Sequence, residues 1–268
     1  MIPTATADEL VRRAEPVMGT VVSIHVRPGD IPAAAVHLAI ADARAALHRA
    51  DAVFSTWKEH SPISQLRRGE LAVDHAPPEV AEVLRRCAEA RELSGGWFDP
   101  WAAPGGVDPT GLVKGWATGR ALDVLRRAGV AAAMVSAGGD MALWGRRGPS
   151  RPWRIGIQNP FERSTLVAVA EPAAAIATSG CYERGAHVWD PFTGQPAEAV
   201  ASATVTGPDL GLADAMATAL LAGGDRALPY LERLDGYEAL LIGHDGALRR
   251  TAGFPEGCPA VAALPPAS

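Results

Sequence analysis

Two polar residues four positions apart, Asp214 and Thr218, are the clearest candidates for metal chemistry in this 268-residue chain. Only Ala and Met lie between them, so on a helix the two would share one face of an otherwise apolar element. A buried carboxylate is costly unless it is paired or binds a metal. A carboxylate beside a hydroxyl offers hard oxygen ligands, which suit Mg²⁺ better than zinc. The alternative interpretation is that Asp214 braces a neighbouring backbone group and Thr218 is a packing residue.

A glycine-rich segment, GGVDPTGLVKGW at residues 105–116, is the second candidate site. Gly111 and Gly115 permit close approach of the backbone, and the helix predicted to follow would present N–H groups and its positive dipole end to an anion. Lys114, one of only two lysines, adds a full charge, so the segment predicts a phosphate site. The segment contains neither the GxxxxGK(S/T) motif of a P-loop nor the GxGxxG motif of a dinucleotide-binding turn. A plain helix-entry turn with a solvated lysine is the alternative.

His187 is the third candidate, because it lies among polar turn motifs and has the chemistry of a general base. Ser179 precedes it in Thr-Ser-Gly but lacks the GxSxG elbow of a hydrolase nucleophile, which argues against a Ser–His triad. The segment DPFTG, which begins at Asp190, predicts a β-turn. The segment AGGD at Ala137–Asp140 predicts a hairpin turn between two short strands.

Three further segments, Met18–Thr20, Phe54–Trp57 and Gly96–Pro100, each join an aromatic or sulfur side chain to small polar residues. Such segments are expected where a protein holds a flat ring system. Each of them taken singly also fits core packing at the end of a strand or loop.

The hydrophobic periodicity predicts which elements must position these residues. Helices are predicted over residues 33–53, 77–93, 117–127, 212–221 and 226–234. Strands are predicted over residues 17–26, 131–136, 141–144, 153–157, 166–170, 174–178, 187–189, 203–205 and 238–242. Clustered strands with helices before and after them indicate an α+β fold, in which helices flank a largely antiparallel sheet core. The predicted organisation is an N-terminal extension (1–16), a single domain (17–254) and a Pro/Ala-rich tail (255–268).

Composition narrows the classes of function. The 25 basic and 30 acidic residues give a net charge of −5, which argues against a nucleic-acid or anionic-membrane binder. No apolar run approaches the roughly 20 residues that span a bilayer, so no transmembrane segment is predicted. The start of the sequence lacks the apolar region of a signal peptide, and the three cysteines are far apart. A cytoplasmic protein with reduced thiols is therefore expected.

Taken in order, the motifs resemble those of the FAD:protein FMN transferase (ApbE-type) family. The matching segments, from Met18 to about Gly224, are MGT, FSTW…SPIS, GGWFDP, VDPTGLVKGWA, SAGGD, ATSG, HVWDPFTG and ADAMAT. The resemblance implies an ApbE-like flavin transferase fold and a Mg²⁺-dependent enzyme whose substrate is FAD. Such an enzyme transfers FMN to a Thr or Ser of an acceptor protein carrying a DxxTGAT-like sequence, and it releases AMP.

The resemblance also implies roles for individual residues. The implied metal ligands are Asp214, Thr218 and the backbone carbonyl of Gly111. The implied FAD contacts are Met18, Trp57, Phe98, Asp99, Pro100, Asp108, Lys114 and Trp189. His187 occupies the position that the family resemblance assigns to the catalytic base. Lys114 is expected to act in catalysis by stabilising the phosphorus centre.

Four departures from the family pattern separate this chain from the usual member. Trp57 replaces a ring-facing Tyr, and Ala217 replaces a second carboxylate, which argues against a two-metal arrangement. Pro62 and Arg67 replace the Glu and Asn of an entrance motif. Only eight residues separate Asp99 from Asp108, where many members carry several dozen. Two other functions remain open, a Mg²⁺-dependent FAD pyrophosphatase that yields FMN and AMP and a non-catalytic flavin-binding protein.

Overall fold

A computed structural model describes residues 10–102, 105–148, 150–180 and 188–257. Within these ranges, eight strands form one antiparallel sheet in the spatial order β1-β2-β3-β4-β7-β8-β9-β10, and β5 and β6 form a separate hairpin. The strands are β1 (Val11–Val17), β2 (Thr20–Arg27), β3 (Ala132–Ala137), β4 (Asp140–Trp144), β5 (Ile155–Gln158), β6 (Leu166–Ala170), β7 (Ala175–Gly180), β8 (Ser202–Gly207), β9 (Glu238–Ile242) and β10 (Leu248–Arg250). The predicted α+β class with an antiparallel sheet is confirmed.

Helices cover one face of the sheet, and the β5–β6 hairpin covers part of the other. The helices are α1 (Ala33–Phe54), α2 (Pro62–Arg67), α3 (Pro78–Leu93), α4 (Thr110–Arg127), α5 (Leu210–Gly223) and α6 (Leu228–Leu231). Period-two alternation sorts the strand residues between the layers: Val135 packs in the helical core, whereas Ala132 packs with the hairpin. Short 3₁₀ turns at Val73–His75 and Gly224–Arg226 complete the described secondary structure.

Helix α5 is the centre of the helical layer. All of its residues except Leu212 and Thr218 are buried, so it is a core helix with no solvent-facing stripe. Its alanines let it lie close to the sheet, and fully buried side chains such as Leu220 each contribute roughly 2 kcal/mol to the hydrophobic stabilisation. Asp214 therefore lies in an apolar environment, in which an ionised carboxylate needs a partner.

The first predicted strand, residues 17–26, is instead a hairpin. Met18 and Gly19 both have positive φ (55° and 69°), which makes the two-residue turn that joins β1 to β2. Strand β1 takes up residues 11–16 of the predicted N-terminal extension. Its Glu15 is buried and accepts hydrogen bonds from Arg44 and His48 of α1. The residues of VRRAEPV do not alternate between apolar and polar types, so hydrophobic periodicity did not predict this strand.

Several other predicted boundaries are wrong. The third predicted helix begins at Thr110 rather than at residue 117, and the predicted helix over 226–234 is reduced to the single turn α6. Val188 and Trp189 form no strand; Trp189 makes an isolated bridge with Pro196, and residue 187 lies outside the described residues. Helix α2 and strand β10 were not predicted. The division into extension, domain and tail stays a prediction.

Candidate functional site

A cavity of about 490 Å³ opens where α1, α4, α5 and the end of β7 meet. All of the described residues that the family resemblance implies for metal or FAD contacts line it. These eleven are Met18, Trp57, Phe98, Asp99, Pro100, Asp108, Gly111, Lys114, Trp189, Asp214 and Thr218. The predicted base, His187, lies outside the described residues, although Val188, which follows it in the chain, lines the cavity. Segments that are far apart in the sequence thus converge on one volume.

The floor of the cavity, defined here as Gly111, Lys114, Asp214 and Thr218, is formed where α4 crosses α5. A Cβ atom on Gly111 would lie 3.2 Å from the Thr218 hydroxyl oxygen. On Gly115, one turn later, a Cβ would lie 2.9 Å from the Asp214 Cβ and 2.5 Å from the Leu210 carbonyl oxygen. The two glycines on one face of α4 therefore let the backbone approach the two oxygen-bearing residues on α5.

Asp214 occupies the most apolar position in the floor. Burial raises its pKa well above the ordinary value, and the nearby Asp140 carboxylate raises it further. The Lys114 charge and the Gly115 N–H, which donates to Asp214 Oδ2 at 2.9 Å, oppose that rise. Two acidic side chains, Asp214 and Asp140, thus lie beside the cationic side chain of Lys114. Such an excess of negative charge favours a bound cation.

Asp140, which the sequence assigned only to a hairpin turn, is a functional candidate that the motif analysis missed. The predicted turn exists, since Ala137 pairs with Asp140 across Gly138 and Gly139. The Asp140 side chain, however, is completely buried, and its Oδ2 lies 2.9 Å from Lys114 Nζ. The signal was present in the sequence: a charged residue at the start of a buried apolar strand needs a partner.

The predicted phosphate cradle of free N–H groups is wrong in its details. Gly111 to Gly115 lie inside the first turns of α4, not in a turn before it. The Thr110 N–H donates to Asp108 Oδ1 at 3.0 Å, and those of Leu112 and Val113 donate to the Pro109 carbonyl at 3.0 and 2.9 Å. Lys114, which lines the cavity, and the positive end of the α4 dipole are groups that would attract an anion there.

The rim of the cavity is defined here as Met18, Trp57, Phe98 and Trp189. It carries three aromatic side chains and one thioether. Trp57, beyond the end of α1, is 93% exposed, and Trp189 is 37% exposed. Phe98 is buried, and its N–H donates to the Ser94 hydroxyl at 3.0 Å. Met18 holds a left-handed backbone conformation that is uncommon for a non-glycine residue, and such strain concentrates at functional positions.

Tight turns fix the segments that carry the rim. Asp190 Oδ1 accepts hydrogen bonds from the N–H groups of Phe192 and Thr193 at 2.8 and 3.3 Å, and the Gly194 N–H donates to the Asp190 carbonyl at 2.8 Å. A turn at DPFTG is therefore present as predicted, and it is closed by the Asp190 side chain and by an i→i+4 backbone bond. Asp99 binds Arg91 at 2.7 Å and caps the Trp101 N–H at 2.9 Å.

The described residues contain neither a cluster of metal-binding side chains nor a helix that could cross a membrane. No three His, Cys, Asp or Glu side chains there form a cluster that could hold a metal ion. A floor built on one carboxylate, one hydroxyl and one carbonyl differs in composition from such a cluster. No helix in the same part of the chain is long and apolar enough to cross a membrane.

A family model and solved structures of known proteins match this chain. The ApbE family model matches residues 18–106 and 102–241, most of the chain. The chain belongs to the ApbE family. Its fold is similar to that of the flavin transferase ApbE from Vibrio cholerae, with a TM-score of 0.77 and 23% identity over 91% of this chain and 96% of that one. The ApbE protein from Thermotoga maritima gives the same TM-score and identity, over 91% and 97%. The predicted ApbE-like fold is confirmed.

Named ApbE relatives match a shorter region. The FAD:protein FMN transferase of Rhodobacter capsulatus is 38% identical over 150 residues, which are 51% of this chain and 28% of that protein. The FAD:protein FMN transferase of Salmonella typhimurium is 31% identical over 151 residues, 52% of this chain and 43% of that protein. The matched region spans less than half the length of either relative.

Proposed function

We propose that this ApbE chain transfers FMN from FAD to a Thr or Ser hydroxyl of an acceptor protein and releases AMP. The observation that carries the proposal is the joining of two kinds of surface in one cavity, a buried polar floor and an aromatic rim. A dinucleotide with a flat ring at one end and a pyrophosphate in the middle needs both. The names of the two matched relatives, FAD:protein FMN transferase, support this substrate class.

The floor fits a hard divalent cation such as Mg²⁺. Asp214, Thr218 and the Gly111 carbonyl would hold it, because the missing side chain of Gly111 keeps the space beside the Thr218 hydroxyl open. Burial and the Asp140 carboxylate raise the pKa of Asp214, and a cation at the floor would stabilise the ionised form of this side chain. When bound, Mg²⁺ supplies Lewis-acid polarisation of phosphoryl oxygens and neutralises pyrophosphate charge.

The protein groups divide the remaining work. Lys114, held by Asp140, would stabilise the charge that develops on the phosphoryl oxygens, and α4 adds its dipole. Trp57 and Trp189 would hold the flavin ring at the rim. Catalysis in this proposal rests on positioning and electrostatics rather than on a covalent enzyme intermediate.

His187 is proposed to accept the proton of the acceptor hydroxyl. The hydroxyl oxygen forms a bond to the FMN-side phosphorus, the bond from that phosphorus to the bridging oxygen breaks, and AMP leaves. The acceptor is proposed to present its Thr or Ser in a DxxTGAT-like sequence. His187→Ala should lower the rate of AMP release without weakening FAD binding, and an unchanged rate would remove His187 from this role.

The decisive experiment incubates the purified chain with FAD and Mg²⁺, with and without an acceptor that carries a DxxTGAT sequence. AMP is quantified by chromatography, and the acceptor mass is measured. An FMN-sized mass gain that EDTA abolishes is the expected result, and an acceptor with Thr replaced by Val is the matched control. Release of AMP and FMN without a mass gain would indicate an FAD pyrophosphatase, and FAD that is bound but stays intact would indicate a flavin-binding protein.

A further inference from the structure

Arg67 lies beside the cavity without lining it, and its guanidinium faces the short segment between Asp99 and Asp108. It is the last residue of α2, and its side chain is only 19% exposed. Arg67 Nε donates to the Gly105 carbonyl at 3.1 Å, and Nη1 lies 4.0 Å from Asp108 Oδ2. One side chain therefore contacts both ends of the 105–108 turn.

The turn is shaped around this arginine. Gly105 and Gly106 both have positive φ, 87° and 97°, a conformation that side chains other than glycine rarely adopt. A Cβ on Gly105 would lie 3.0 Å from Arg67 Nη2, and one on Gly106 would lie 3.5 Å from the Arg67 carbonyl oxygen. The backbone of the turn thus lies in contact with Arg67, most closely at Gly105.

Helix α2 is in turn tied to the opposite wall of the cavity. The Ser61 hydroxyl, which caps α2, donates to the Ser55 carbonyl at 2.7 Å, and the Ser64 hydroxyl donates to the same oxygen at 3.3 Å. Ser55 lines the cavity two residues before Trp57. Arg67 therefore links the wall that carries Trp57 to the wall that carries Asp108.

Asp108 is the residue through which this link reaches the cavity. It lines the cavity, its Oδ1 accepts from the Thr110 N–H at the start of α4, and its own N–H donates to the Pro100 carbonyl at 2.7 Å. Only eight residues join Asp99 to Asp108, too few for an element of their own to hold this turn in place. The Asp108–Pro100 hydrogen bond acts within the segment, and the Arg67 guanidinium adds contacts from outside it.

We propose that Arg67 is a positioning residue that holds the 105–108 turn, and through it Asp108, in the geometry that binds FAD. The inference rests on the proposed function for the identity of the ligand. Arg68 provides a matched control, because it is the next residue and carries the same charge. Its side chain binds Glu70 and the Glu59 carbonyl instead of the turn.

The test measures FAD affinity by equilibrium dialysis for the wild type, Arg67→Ala, Arg67→Lys and Arg68→Ala. Loss of one charged hydrogen-bonding group predicts about tenfold weaker binding for Arg67→Ala. Arg67→Lys should lose about threefold, since it keeps the charge but not the two-point contact, and Arg68→Ala should stay within about twofold of the wild type. At saturating FAD, kcat for AMP release should change less than about twofold, with the loss confined to KM.

A double-mutant cycle distinguishes a positioning role of Arg67 toward Asp108 from a general destabilisation of the site. If Arg67 acts through Asp108, adding Arg67→Ala to Asp108→Ala should weaken FAD binding no further. Equal losses in both backgrounds, or an Arg67→Ala affinity matching that of Arg68→Ala, would overturn the proposal.

Hydrogen exchange of the Thr110 amide keeps this test separate from the proposed function. That amide is bonded to Asp108 Oδ1, so Arg67→Ala should speed its exchange whether or not FAD is present, and Arg68→Ala should not. If the wild type binds no FAD, the proposed function is contradicted. The exchange rate of the Thr110 amide would still show whether Arg67 holds the 105–108 turn. An unchanged exchange rate in Arg67→Ala would overturn the link itself.

Discussion

The floor of the cavity is largely buried and charged, whereas its rim is in part exposed and aromatic. Asp214 and Asp140 sit in a packed core between two helices and the sheet, and each depends on its neighbours for charge balance. Trp57 is almost fully exposed and depends on little around it. A change in the floor is therefore expected to disturb packing or charge balance, while a change at Trp57 is expected to alter ligand contact alone. The predictions below test this difference, from the largest expected effect to the smallest.

Asp214→Ala should reduce AMP release by about 10³-fold, the scale of losing a preorganised electrostatic group, and should abolish Mg²⁺ binding measured by calorimetry. The melting temperature should fall little, because the variant removes a carboxylate whose pKa burial raises. Asp209→Ala is the control on the same helix: it loses the α5 N-cap, at about 1 kcal/mol of stability, but keeps Mg²⁺ binding. Normal transfer with unchanged Mg²⁺ dependence in Asp214→Ala would contradict the metal assignment.

Gly115→Ala should lower the free energy of unfolding by about 2–3 kcal/mol in urea denaturation, because the new Cβ meets backbone across the α4–α5 contact. Gly119→Ala, one turn further along α4, adds its Cβ into open space. That control should gain about 0.5–1 kcal/mol from helix propensity. If the two variants have equal stabilities, the close approach of the two helices is not what builds the floor.

Asp140→Asn should lower kcat for AMP release by about 10- to 100-fold, the usual range for a residue that orients a reacting group. The amide keeps the volume of the carboxylate but removes the negative charge that lies 2.9 Å from Lys114 Nζ. FAD affinity, measured by fluorescence quenching, should change little, which separates this variant from those of the rim. Retention of wild-type kcat would mean that Lys114 needs no partner.

Trp57→Ala should weaken FAD binding about fivefold, the scale of one aromatic stacking contact, with no change in melting temperature. Trp57→Phe should recover part of the affinity, because it keeps a ring. Trp144→Ala is the control, since Trp144 is exposed at the end of β4, where its ring contacts Arg126. A lowered melting temperature in Trp57→Ala would show that the rim is coupled to the core.

The sequence predicted the site better than the elements that carry it. Residue types and their order assigned Asp214, Lys114 and Trp57 to one site, and all three line the same cavity, while their roles stay predictions. The start of α4 was misplaced because glycines usually weaken a helix, whereas here Gly115 permits close packing against α5. Asp140 was missed because its turn is a local feature, while its partner, Lys114, comes from another part of the chain. Long-range pairing of this kind leaves no periodic trace in a sequence.

The two outer strands of the eight-stranded sheet have a consequence for how the chain behaves at high concentration. An open strand edge is a template for pairing with another copy. Strand β1 counters this with exposed Arg12 and Arg13, with Pro16, which has no N–H to donate, and with the inward-facing charge of Glu15. Strand β10 is only three residues long and is exposed throughout. Both outer strands of the described sheet therefore carry features that oppose pairing with the edge of another copy.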